Sequence, residues 1–224
     1  MTKAKTYIFA VLLVLIMVIA LFSPALSGKR GIFHDDIANE VFLRNFFVAS
    51  NLQRGVLPLW NPHIWCGALP FYARYYADTY YLPLSPFYML ADLKNIDLAF
   101  LEITLLPLVL HYFLAGLGMF FLLNRLIRCS FLPALLGAFA YIYSPTFTYA
   151  YVWPKVITIQ AWLPWFILIY TSALERQRLW KVFVASFILA LMFTAGYPNY
   201  MVFIFFIWLA TALMLTLINI KDKS

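Results

Sequence analysis

One polar stretch lies between long apolar runs, opening with GIFHDD at residues 31–36 and continuing with RGVLPLWNP at residues 54–62. It closes with CGALP at residues 66–70 and YLPLSP at residues 81–86. The surrounding 73-residue segment, 27–99, holds six of the nine acidic residues, and Asp35 and Asp36 are adjacent near its start. Charges are costly in hydrocarbon, so ionisable groups in membrane proteins tend to mark functional positions. We therefore expect this loop to carry the functional site and the flanking helices to support it.

The composition is that of an integral membrane protein. Of the 224 residues, 65% are hydrophobic and only 11% are charged, whereas a soluble domain carries about 25% charged residues. The apolar residues fall in runs of the length that crosses a bilayer. Tyr and Trp cluster at the ends of those runs, where their amphipathic rings favour the membrane interface. The net charge of +7 comes without a dense basic tract, so the expected partner is the lipid bilayer and not nucleic acid.

The pattern predicts an all-α, polytopic fold with a first transmembrane helix at 1–26, an outer loop at 27–99 and a five-span bundle at 100–220. The six predicted spans are Tyr7–Leu26, Phe100–Leu123, Phe131–Tyr151, Val156–Leu174, Val182–Ala195 and Tyr200–Ile220. A cleavable signal peptide is an alternative for the first, because Ala25-Leu26-Ser27 offers small residues at a suitable spacing. Its apolar run exceeds the usual ~7–15 residues of a signal peptide, which favours a retained span.

The distribution of Lys and Arg predicts the topology. Nine lie at the N-terminus, at the C-terminus and in the loops 124–130 and 175–181, whereas the opposite short turns carry only Lys155. The positive-inside rule then places both termini in the cytoplasm and the long loop outside the cell membrane. Cys66 and Cys129 would lie on opposite sides and could not form a disulfide.

Residues 37–54 of the loop have the pattern of an amphipathic helix lying flat at the membrane interface. Its apolar face comprises Ala38, Val41, Phe42, Phe46, Ala49 and Leu52. Glu40 and Arg44 form an i,i+4 pair on the other face. Asp36 is placed to cap its start and Gly55 to end it. A second short helix is predicted over Ser85–Leu93.

Three motifs carry a resemblance to a known family. RGVLPLWNP at 54–62, CGALPF at 66–71 and YLPL at 81–84 resemble the first loop of bacterial YfhO-type membrane proteins, in the GT-C superfamily of glycosyltransferases. GYPN at 196–199 resembles the G-H-P-Q turn of that family, with Tyr197 in place of His and Asn199 in place of Gln. The resemblance covers most of residues 30–200. Family members are longer, so the chain corresponds to their N-terminal portion.

The resemblance implies that a sugar passes from a polyprenyl-phosphate carrier to a glycan, lipid or polymer acceptor outside the membrane. Asp35 is then the expected general base for the acceptor hydroxyl, and Asp36 is the helix cap or a second acid. Both carboxylates, with His34, could instead hold Mg²⁺ or Mn²⁺. Arg74 and Lys155 are the expected partners of the carrier phosphate.

Simpler interpretations stay open for these residues. Asp35 and Asp36 could both serve only to start the helix, where its dipole stabilises negative charge. Lys155 could reach toward lipid headgroups, and Glu102 is expected at the interface. A transporter or flippase component for lipid-linked glycans is one alternative function, although the last four spans carry almost no ionisable residues. A non-catalytic fragment of a larger YfhO-type protein is the other.

Overall fold

The computed structural model describes residues 3–28, 37–63, 67, 81–150, 153–176 and 178–221, and these residues form helices joined by turns. The all-α fold class predicted from the sequence is confirmed. Three helices are long and apolar enough to cross a membrane: Ala4–Leu26, Ile96–Leu126 and Pro154–Glu175. Two further apolar helical stretches, Leu179–Thr194 and Asn199–Ala210, are shorter.

Helix α1 (Lys3–Leu26) packs into the bundle through a narrow stripe. Ala10, Val14, Val18 and Phe22 recur every four residues, and each is at most 5% exposed. Val14 lies against Gly116, where an added Cβ would come within 2.7 Å of a Val14 methyl group. Small residues allow such close approach of helices, which compensates for the weak hydrophobic driving force between helices in lipid.

The described parts of the long loop 27–99 pack on one end of the bundle. A π-helical turn, Ile37–Phe42, leads into α2 (Leu43–Gln53). Gly55 follows with a φ of 74°, a left-handed conformation that glycine adopts without strain. A 3₁₀ turn, Leu82–Leu84, leads into α3 (Ser85–Leu90). Both loop segments that were predicted to be helical contain helix, the second over a shorter range.

Two side-chain amides fix α2 in place. Asn45 donates to the backbone carbonyl of Ile103 at 2.9 Å, and Gln53 donates to the carbonyls of Tyr88 and Ala91 at 3.0 and 2.9 Å. A small apolar cluster lies between the loop and the bundle, formed by Val48, Ala49, Tyr88, Ala91 and Ile103. The apolar side of α2 is thus covered by protein, and its orientation relative to a membrane stays a prediction.

The central helix runs from Ile96 to Leu126 with two changes of pitch. Its parts are α4 (Ile96–Phe100), a π-helical turn (Leu101–Leu105), α5 (Leu106–Phe121) and a second π-helical turn (Leu122–Leu126). The Asn95 side chain caps its start by accepting a hydrogen bond from the backbone N–H of Leu98 at 3.2 Å. The helix therefore begins four residues before the predicted second span.

The remaining helices are α6 (Phe131–Ile142), α7 (Pro145–Ala150), α8 (Pro154–Arg176), α9 (Leu179–Thr194) and α10 (Pro198–Lys221). The last three lie where the sequence predicted them. The prediction of one continuous helix for the third span is wrong, because the helix ends at Ile142 and a new one begins at Pro145. Proline lacks an N–H and disfavours helical backbone in the residue before it.

Candidate functional site

A small polar pocket lies where the described parts of the loop 27–99 meet one end of the bundle. It is lined by α2, the segment 81–84, the helix 96–126, the first turns of α8 and Ala195, which follows α9. Half of its lining residues are polar: Arg44, Asn45, Tyr81, Thr104, His111, Lys155 and Thr158. The rest are apolar, so the polar groups of the pocket lie among apolar side chains.

The pocket is about the size of one phosphate group. About 30 Å³ is open to the centre of a water molecule, and one water needs about 10–15 Å³ on that measure. About two to three waters, or a single group of similar bulk, therefore fit.

Two cationic side chains line the pocket and are almost fully buried. Arg44 is 2% exposed and Lys155 is 8% exposed. Arg44 lies 3.5 Å from Glu40, which confirms the predicted i,i+4 pair. Glu40 is about half exposed, so this ion pair lies at the edge of the pocket.

The prediction that Arg44 lies on the exposed face of the loop helix is wrong. Arg44 and Asn45 face inward together with Val48, and Val41 is buried as well. These four positions have the spacing of one helix face, so the buried face is turned toward Arg44 relative to the predicted one. Its polar members are accommodated by the hydrogen bond from Asn45 to the Ile103 carbonyl and by the ion pair of Arg44 with Glu40.

Thr104 contributes a hydroxyl that is free to bond a ligand. The residue is 7% exposed, and its Oγ1 has no hydrogen-bond partner within the described residues. Thr158, by contrast, donates to the carbonyl of Pro154 at 2.9 Å. Buried polar groups are normally paired, so the Thr104 hydroxyl is available to a polar group that enters the pocket.

A chain of hydrogen bonds forms one side of the pocket. His111 Nδ1 lies 2.6 Å from the carbonyl of Pro107, its Nε2 lies 2.8 Å from the Tyr81 hydroxyl, and Trp162 Nε1 donates to that hydroxyl at 2.5 Å. A carbonyl only accepts, so Nδ1 carries the proton of the neutral ring and Nε2 accepts from Tyr81. Burial raises the pKa of Tyr81 well above its usual value, with a smaller opposing effect from the Trp162 hydrogen bond. Tyr81 therefore remains protonated and donates.

Of the site residues predicted from the sequence, Lys155 lies in the pocket. Asp35, Asp36, His34 and Arg74 lie outside the described residues. The chain enters the π-helical turn at Ile37, directly after Asp36, and Ile37 is 1% exposed. Among the residues that the structure describes, no group of three or more His, Cys, Asp or Glu is placed to hold a metal.

Glu102 has a local structural role. Its Oε2 accepts the backbone N–H of Asp92 at 2.7 Å, which holds the turn between α3 and α4. The carboxylate is not among the residues that line the pocket. This hydrogen bond accounts for the position of the Glu102 carboxylate, and no role in the site is assigned to it.

Sequence reasoning missed most of the polar wall, although one signal was visible. Thr104 and His111 are polar residues seven positions apart within an apolar helix, a spacing that places both on one face. Lys155 and Thr158 repeat this pattern at a spacing of three on α8. Two polar faces on neighbouring apolar helices predict a shared polar site between them.

No protein-family model, no curated protein and no solved structure matches this chain. Neither its fold nor its function is therefore assigned through a relative. What can be inferred about function comes from the sequence motifs and from the residues of the pocket.

Proposed function

We propose that this chain is a GT-C-like membrane glycosyltransferase. It transfers a sugar from a polyprenyl-phosphate carrier to a glycan, lipid or polymer acceptor outside the cell membrane. The observation that carries the proposal is the burial of Arg44 and Lys155 in one pocket with room for a single phosphate. Lys155 is also one of the two cations, with Arg74, that the sequence analysis predicts as phosphate partners.

The proposed topology has six spans with both termini in the cytoplasm. Within it, the start of α8 and the end of α9 lie at the outer membrane surface, together with the long loop. The pocket is lined by these parts of the chain, so the phosphate of a carrier lipid in the outer leaflet would reach it without crossing the hydrocarbon. The chemistry then takes place at the depth where the lipid-linked donor presents its headgroup.

The pocket residues suit the leaving group of the reaction. As the bond from the sugar to the phosphate breaks, negative charge develops on the phosphate oxygens. Positive groups fixed in a low-dielectric site stabilise such charge more strongly than they would in water. Arg44 would offer a planar donor set, Lys155 a point charge and Thr104 a neutral O–H donor.

The acceptor side of the reaction is assigned to the loop carboxylates. Asp35 takes the proton from the acceptor hydroxyl as that oxygen attacks the anomeric carbon. Asp36 starts the loop helix or acts as a second acid. If both carboxylates bind Mg²⁺ or Mn²⁺, the ion supplies further positive charge beside the donor phosphate.

Removing the buried cations tests the proposal. In membranes supplied with a radiolabelled polyprenyl-phosphate sugar, we expect Arg44→Gln and Lys155→Gln each to reduce sugar transfer by about 10²-fold, in line with the loss of one charge-stabilising group. Lys181→Gln is the matched control, since Lys181 is half-buried and donates to Ser172 on α8, away from the pocket. It should retain wild-type transfer at equal protein level.

Two outcomes would contradict the proposal. Full transfer by the Arg44→Gln/Lys155→Gln double variant would show that the pocket does not handle the donor. A wild-type protein that moves labelled lipid between leaflets, and transfers no sugar, would support the transporter alternative.

A further inference from the structure

We propose that Tyr81 is a positioning residue, whose hydroxyl holds the outer loop, α5 and α8 at the separation that the phosphate pocket requires. Tyr81, His111 and Trp162 are together named the Tyr81 clasp. This inference rests on the proposed function for its ligand, but its geometry can be tested separately.

Tyr81 joins three parts of the chain that are distant in sequence. It belongs to the outer loop, His111 belongs to α5 and Trp162 belongs to α8. The Tyr81 hydroxyl donates to His111 at 2.8 Å and accepts from Trp162 at 2.5 Å. Each of these three parts also supplies a wall of the pocket, so a single oxygen atom links all of them.

The Tyr81 ring is anchored as firmly as its hydroxyl. The residue is 0% exposed and packs in an apolar cluster with Ile159 and Phe166 of α8 and Ile188 of α9. The adjacent residue, Leu82, is 64% exposed. The loop therefore inserts one tyrosine into the bundle while the residue that follows it remains at the surface.

The direction of the hydrogen bonds makes the clasp specific for tyrosine. Pro107 fixes the proton on Nδ1 of His111, so Nε2 needs a donor, and Trp162 can only donate, so its partner must accept. A hydroxyl satisfies both needs at once. Phenylalanine at this position would keep the ring but leave a buried donor and a buried acceptor unpaired.

The clasp matters to the pocket because the polar groups come from all three of the parts that it joins. Arg44 and Asn45 lie on the loop side, Thr104 on the central helix and Lys155 on α8. A ligand contacts all of them only if these parts keep their spacing. A shift of about 1 Å is enough to weaken such contacts substantially.

The test compares Tyr81→Phe with Tyr112→Phe. Tyr112 is 2% exposed, and its hydroxyl donates to the carbonyl of Phe147 at 2.8 Å, outside the pocket. Both variants lose a buried hydroxyl, so both should lower the melting temperature in detergent. Only Tyr81→Phe should weaken binding of geranyl phosphate, by about tenfold, the factor that corresponds to the loss of about one hydrogen bond.

Inorganic phosphate and geraniol serve as further probes. Binding of geranyl phosphate and inorganic phosphate, but not geraniol, identifies the phosphate group as the recognised chemistry. If only geranyl phosphate binds, the lipid chain is also required, and a lipid headgroup is the source of the phosphate. Equal affinity of Tyr81→Phe and wild type for every probe that binds would overturn the positioning role.

A distance measurement tests the clasp independently of any ligand. Spin labels at exposed Leu82 and Glu175, with both cysteines replaced by serine, report the loop and α8. We expect a narrow distance distribution in the wild type and in Tyr112→Phe, and a broadened one in Tyr81→Phe. If the wild-type protein binds no probe, the proposed function fails, but the distance measurement still tests whether the Tyr81 clasp holds the loop on α8. An unchanged distance distribution in Tyr81→Phe would overturn the clasp.

Discussion

Arg44 and Lys155 are unusual residues for the interior of an apolar bundle. Moving a charge from water into a low-dielectric environment costs several kcal/mol unless opposite charge and hydrogen bonds compensate. For Arg44, the Glu40 carboxylate at 3.5 Å supplies opposite charge at the edge of the pocket. Under the proposed function, the phosphate of the carrier lipid would add negative charge beside both cations.

The loop carboxylates give a prediction at single-residue resolution. Asp35→Asn keeps the size of the side chain but removes its ability to accept a proton, so sugar transfer should fall by about 10²-fold or more. Asp36→Asn should cost less, since Asn caps helices as well as Asp does. Transfer is measured in membranes supplied with a polyprenyl-phosphate sugar, at matched protein level.

Two results would revise this assignment. Loss at both positions, with partial rescue by added Mg²⁺ or Mn²⁺, would favour a metal site over a single base. Full activity of the double Asn variant would remove the catalytic role of the loop and leave the two acids as the start of a helix.

At the scale of elements, the close contact between α1 and α5 gives a stability prediction. Gly116→Val adds a Cβ that would come within 2.7 Å of the Val14 side chain and 3.5 Å of Ile142. Overpacking of this kind costs about 1–3 kcal/mol. The free energy of unfolding in detergent, measured by denaturant titration, should fall by that amount.

The controls separate packing from intrinsic helix preference. Ala190→Val on α9 also introduces a β-branched residue, but its side chain is exposed, so it should change stability by no more than about 0.5 kcal/mol. The double variant Gly116→Ala/Val14→Ala should be closer in stability to the wild type than Gly116→Val is, because shortening Val14 opens space for the added Cβ. If Gly116→Val proves as stable as the wild type, α1 does not pack closely on α5.

Local signals were sufficient to predict several elements. The loop helix, its end at Gly55 and the short helix after Ser85 follow from spacing and from glycine and proline chemistry. Pro145 was also a visible helix breaker, yet the length of the apolar run led to one continuous span. The length of an apolar run does not reveal a break in the backbone, whereas a proline within the run does.

The candidate site was harder to predict because it depends on contacts between distant residues. Lys155 was identified from its position in a short turn. The inward placement of Arg44 is hard to predict because charged residues are almost never fully buried unless they are paired. The contact between Tyr81 and His111 joins residues 30 positions apart, and only the packing of the loop into the bundle brings them together.

At the scale of the whole molecule, the two ends of the bundle differ in the residues that they carry. The polar pocket lies at the start of α8 and the end of α9. At the opposite ends of these helices, Lys181 donates to Ser172. The central helix has Thr104 of the pocket near its start and Arg125 near its end, where Arg125 lies 5.3 Å from the ring centres of Tyr7 and Phe121. The basic end and the pocket end are thus different ends of the bundle. The positive-inside rule then predicts that the pocket faces out.

Reporter fusions test this orientation directly. A reporter active only outside the cytoplasm should work when fused after Pro62 or Pro198 and should fail after Arg128 or Ser224. The reason is the nine-to-one distribution of short-loop Lys and Arg, which retains the basic loops in the cytoplasm. Replacing Arg125 and Arg128 by Gln should weaken this preference at the 124–130 loop, whereas replacing the pocket residue Lys155 should not. Activity after Arg128 together with inactivity after Pro62 would reverse the bundle. The pocket would then face the cytoplasm, where it could not serve a donor and an acceptor that meet outside.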